Sequence, residues 1–139
     1  MIQAIIKAKF FLLIAIVSCS PDPVNIPSSS SKPGSQNASP YNSFTDVEKA
    51  QAFGSTLHPV LVSYCAQCHG AAQAPLHAID DTFNAFKAGD SYINFDNLPN
   101  SRFYRRVKVE DHNCSPNCDQ IAADILNALQ EFKTQLESL

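Results

Sequence analysis

The chain has 139 residues, 45% of them apolar, and its 10 basic and 13 acidic side chains give a formal charge of −3. That length allows one domain with a modest core and excludes a large multidomain enzyme. No basic run or patch seeks phosphate, so nucleic acid is not an expected partner.

Lys7 and Lys9 precede the apolar run Phe10 to Val17, the layout of a secretion signal over residues 1–18. The run is too short to span a bilayer. Without residues 1–18 the chain keeps 8 basic against 13 acidic side chains, a charge of −5. Ile16-Val17-Ser18-Cys19 resembles the lipobox of bacterial lipoproteins, which implies lipidation of Cys19 and a membrane anchor made of several acyl chains. Ser20 after the cysteine fits the outer membrane better than the inner, facing the periplasm or the cell surface. Residues 19–43 are rich in Ser and Pro; such a stretch buries too little apolar surface to offset its ordering entropy and reads as a tether. A single domain is expected over residues 44–139.

Thr45-Asp46-Val47-Glu48 has the spacing of a capping box at the start of a helix that Gly54 interrupts. Phe53, Leu57, Val60, Leu61 and Tyr64 recur at helical spacing, with Pro59 suited to a first turn. A short helix is expected from about Asp80 to Ala88, then a loop from Gly89 to Tyr92, then another helix from about Asn100 to Val107. The last helix has Asp119 as its expected cap and Ile121, Ile125, Leu129, Phe132 and Leu136 on one stripe. Nothing alternates as a strand does, so the domain is expected to be all-α.

Between the first helices and this frame lies Cys65-Ala66-Gln67-Cys68-His69. Two thiols separated by two residues can each form a thioether to a haem vinyl group, and the imidazole that follows meets the iron. With this composition the pattern arises by chance in about half a percent of chains. A thioredoxin-like dithiol would need strands alternating with helices, and a zinc site would need a second ligand pair; the sequence has neither.

Thr56 to Leu61 leading into Cys65-Ala66-Gln67-Cys68-His69-Gly70 resembles the small monohaem cytochrome c domains of bacterial exported proteins. Asn100 to Arg106, and His112-Asn113-Cys114 with Cys118 ahead of the final helix, are similar to the same domains. The resemblance covers about residues 50–135. It implies the cytochrome c-like fold, one covalent haem c on Cys65, Cys68 and His69, and electron exchange with other redox proteins at a partly exposed haem edge.

The commonest cytochrome c pattern has a methionine as second axial ligand, and the only methionine here is Met1. A second histidine, a weaker ligand or an open face therefore completes the iron. His112, shortly before the last helix, stands where the methionine loop usually falls and is the first choice; His77 is the second. His58 reads as a core histidine or a partner of a haem propionate. Two imidazoles leave a lower potential than a thioether does, whereas an open position would turn the domain toward gas or peroxide chemistry. A structural haem in a surface assembly is a third reading. Cys114 and Cys118 are close enough for a disulfide in an oxidising compartment, which would brace the loop of His112. Arg102, Arg105 and Arg106 form a basic cluster suited to propionates, an acidic partner or plain solvation. No Ser-His-Asp set, carboxylate pair or phosphate loop is present, so an electron carrier is expected rather than an enzyme.

Overall fold

A computed structural model describes residues 39–110, 112, 114 and 116–139. The signal segment, Cys19 and most of the tether lie outside the described residues. Among the described residues every regular element is helical and no strand occurs, as the all-α expectation requires. None of these helices is long and apolar enough to cross a membrane.

The packed unit extends back beyond residue 44. Pro40–Ser43 forms a 3₁₀ turn, and the Tyr41 ring stacks on Phe95 with centroids 5.0 Å apart. Its hydroxyl donates to the Asp90 carboxylate. Burial and this acidic partner push the Tyr41 phenol up, so it remains a donor throughout the physiological range.

Helix α1, Asp46–Ser55, starts at the expected capping box. The Thr45 hydroxyl accepts from the Glu48 amide at 3.3 Å, and the Thr45 amide donates to the Glu48 carboxylate at 2.7 Å. Gly54 sits inside the last turn of α1 instead of breaking it, closely packed: a Cβ there would come within 2.6 Å of Thr82. Helix α2, Leu57–His69, follows after one residue, with Pro59 in its first turn. Helix α3, Thr82–Gly89, is capped by Asp81, which accepts from the Asn84 amide at 3.0 Å. A 3₁₀ turn over Asp90–Tyr92 replaces the expected loop.

Helix α4, Arg102–Lys108, begins two residues later than its sequence pattern suggests, because Leu98–Asn100 closes a separate 3₁₀ turn. The fully buried Ser101 between them is satisfied by the Asn94 amide at 2.9 Å. Helix α5, Cys118–Glu137, differs at its start: Asn117 occupies the cap position without a side-chain bond. Asp119 lies inside the first turn, where the helix dipole favours a carboxylate, and its carboxylate takes the Lys108 ammonium at 2.6 Å.

Phe53 of α1, Leu57 and Leu61 of α2, Phe86 of α3, and Leu129, Phe132 and Leu136 of α5 are completely buried. Each such side chain contributes roughly 1.5–3 kcal/mol of transfer free energy. Helix α5 is the spine, packing against α1, α2 and α4, while α3 covers the other side of α1. Ile121, expected on the inner stripe of α5, is only half-buried and borders the cleft described next.

Candidate cofactor site

The motif occupies the last turn and a half of α2. On a helix, positions three and four apart share a face, so Cys65, Cys68 and His69 are held together by backbone geometry alone. They open onto a cleft formed by α2, α4, α5 and the segments around Pro75 and His112. Its two lobes share Cys65, His69, Val107 and His112. Leu61, Phe103, Val107 and Ile125 make most of the inner wall apolar.

His69 is buried, and the loop after α2 folds back over it. The Gln73 amide donates to the Cys68 carbonyl at 2.8 Å, and the Ala78 amide to the His69 carbonyl at 3.3 Å. The loop thereby aims two carbonyls at the imidazole: Nδ1 lies 3.1 Å from the Gln73 oxygen and 3.0 Å from the Pro75 oxygen. Carbonyls only accept, so Nδ1 donates. In the neutral ring the lone pair is then on Nε2, the tautomer and orientation that metal-ligating histidines take from such outer partners. These carbonyls were not foreseeable from the motif, since a backbone acceptor has no sequence signature.

The other two histidines of this region converge on His69 from different distances. Two imidazoles binding one metal ion from opposite sides need ring centroids about 6 Å apart: two metal–nitrogen bonds of about 2 Å and two ring radii of about 1 Å. His112 stands 6.2 Å from His69, and His77 stacks on it at 4.4 Å. His77 is packed edge-on against Phe103 at 5.0 Å, and its Nδ1 is buried without a hydrogen-bond partner. Burial and the neighbouring His69 push the His77 imidazole down to about 3, so its ring is neutral. His112 is half-buried on the loop after α4 and is tethered by its amide to the Arg106 carbonyl at 3.0 Å. His58 faces away from the cleft: its ring lies 5.6 Å from Phe53, and Nε2 meets the Ile79 carbonyl at 2.8 Å. It is a core histidine.

Cys65 is half-buried, and burial pushes its thiol up to about 11. Cys114 and Cys118 form a disulfide with Cα atoms 4.8 Å apart, which ties the His112 loop to the first residue of α5. The three arginines separate. Arg102 lies over the Tyr92 ring at 4.6 Å, Arg105 is exposed, and Arg106 borders the cleft while pairing with Glu110 at 2.5 Å.

No group of three or more His, Cys, Asp or Glu among the described residues is arranged to hold a bare metal ion. A haem brings four nitrogens of its own and asks the chain only for axial ligands. The residue types suit that request: two cysteines at thioether spacing, an oriented imidazole, and a second imidazole whose ring centroid lies 6.2 Å away. No protein-family model, curated protein or solved structure matches the chain.

Proposed function

We propose that this chain is a monohaem c-type cytochrome with a cytochrome c-like fold, exported, lipid-anchored through Cys19, and passing single electrons between other redox proteins. The observation that carries this reading is the pairing of Cys65, Cys68 and His69 on one apolar cleft with a His69 ring whose Nδ1 is engaged by carbonyls.

Bound haem supplies the ferric–ferrous couple. The chain supplies attachment and surroundings. Cys65 and Cys68 hold the group from one helix end, so it need not be retained by packing alone. His69 presents Nε2, and the Gln73 and Pro75 carbonyls strengthen it as a donor by taking hydrogen bonds from Nδ1. His112 offers the second imidazole, and Leu61, Phe103, Val107 and Ile125 limit water at the centre. Two imidazoles without a methionine favour the low end of the potential range. Helix α5 packing against α1 and α2 supports the cytochrome c-like reading of the fold.

The test is an absorption spectrum of the full chain matured with haem, oxidised and reduced, with and without carbon monoxide. Covalent haem and a low-spin spectrum indifferent to carbon monoxide are expected. Ready uptake of carbon monoxide would instead indicate gas or peroxide chemistry, and the lack of covalent haem would overturn the proposal.

A further inference from the structure

Resting on the haem reading above, we infer that His77 is a positioning residue for His69: its ring is the stop that holds the His69 imidazole in one plane, so that the ligand keeps one orientation in both oxidation states. Hydrogen bonding alone leaves that plane open. Nδ1 of His69 carries one proton and has two carbonyl acceptors, Gln73 at 3.1 Å and Pro75 at 3.0 Å, and the torsion that turns a histidine ring has only a broad preference. A ring with one donor between two acceptors rocks from one to the other unless packing against its face prevents it.

His77 covers that face. The two ring centroids lie 4.4 Å apart with planes 26° from parallel, so turning His69 about its Cβ–Cγ bond drives an edge of its ring into His77. The stop has little room to yield. His77 is 4% exposed, Phe103 meets its ring edge-on at 5.0 Å, and a Cβ on Gly89 would come within 3.3 Å of the His77 Cβ. Its backbone is fixed by the carbonyl that His69 also uses, since the His77 amide donates to the Pro75 oxygen at 3.0 Å. Pro75 and His77 together thus supply an acceptor for the edge of the ligand ring and a plate for its face. Nδ1 of His77 is buried without a hydrogen-bond partner, an atom that costs stability where it stands; the ring is placed by packing, and what it contributes to His69 is shape. Outer contacts of this kind orient a metal ligand and hold it pre-organised, which removes one motion that oxidation and reduction would otherwise drive.

The angle between two axial imidazole planes shapes the electron paramagnetic resonance signal of a low-spin ferric iron, so the matured full chain gives a direct readout. Wild type should show one narrow low-spin species. In His77→Ala the iron should stay low-spin while its largest g value shifts or spreads over several species, and His77→Phe, which restores a flat ring, should bring back a single narrow signal. A His77→Ala signal equal to wild type in position and width would overturn the inference, and a His77→Phe signal as broad as that of His77→Ala would count against it equally. Loss of the low-spin signal in His77→Ala would overturn it by making His77 itself a ligand. Should the variants fail to mature, nitrogen-15 NMR of the unloaded wild-type chain decides: a single His69 Nδ1 proton signal in slow exchange with solvent supports the stop, and a doubled or exchange-averaged one sinks it. Failure of the haem reading itself looks different, since the wild-type chain would then carry no covalent haem while the NMR signal still reports on the His69 ring.

Discussion

His69 and its two neighbours illustrate how much a single side chain depends on atoms that no motif names. Its proposed role as a ligand is suggested by five consecutive residues, but its tautomer comes from the Gln73 and Pro75 carbonyls. The choice between the other two histidines is a matter of distance, 6.2 Å for His112 against 4.4 Å for His77. His112→Ala is therefore expected to convert the matured protein from indifferent to carbon monoxide to readily binding it, whereas His77→Ala leaves the low-spin spectrum in place. The reverse result would make His77 the ligand. Cys65→Ser with Cys68→Ser should abolish haem that survives denaturation, read by haem stain on a denaturing gel. Gly89 is a residue where bulk matters: a Cβ there would meet Phe103 at 2.8 Å and His77 at 3.3 Å, so the wall of the cleft depends on its absence.

Helix placement followed from periodicity and caps wherever the signals were local. The Thr45 box and the α5 stripe from Ile125 onward are where the pattern put them, because each rests on residues within one or two turns. Thr45→Ala should cost about 1 kcal/mol in denaturant unfolding of the full chain, through loss of a cap. Leu129→Ala, which empties a completely buried site on α5, should cost about 2–5 kcal/mol. The Thr45 backbone and hydroxyl hold the Glu48 carboxyl below its ordinary value of 4.5, and Lys87 lowers Asp46. A carboxylate whose folded value is depressed adds stability that is complete above its unfolded value and is lost as pH falls through the folded one. Stability should thus begin to decline below about pH 6.5, where His77 takes up a proton only in the unfolded chain, and fall more steeply below 4.5, with a shallower acid limb in Glu48→Gln; an unchanged slope below 4.5 would refute that role. The start of α5 was misread because Asp119 has two attractive uses, capping and pairing. Lys108, brought close by the turn after α4, takes it.

At the scale of the whole molecule, the cleft exists because α5 packs against α2 and α4 at once and leaves the end of α2 uncovered. The disulfide anchors one of the two cleft walls that are not helical. Closing so short a loop contributes about 2 kcal/mol by the chain-entropy relation. Replacing Cys114 and Cys118 by Ser should lower stability by up to that amount and, on the proposed haem reading, raise the rate of carbon monoxide uptake by the matured protein, because the loop of His112 is held less firmly; an unchanged rate would mean that the Arg106 carbonyl suffices to hold the loop. The all-α class, the helix inventory, the thiol–imidazole motif and the lack of any methionine after Met1 could all be read from the chain, since each depends on neighbours in sequence and on side-chain chemistry. Three features could not. The different distances of His112 and His77 from His69, the backbone carbonyls on His69 and the separation of Arg106 from Arg102 and Arg105 arise only when segments far apart in sequence are packed together, and no local pattern encodes the distances that packing sets.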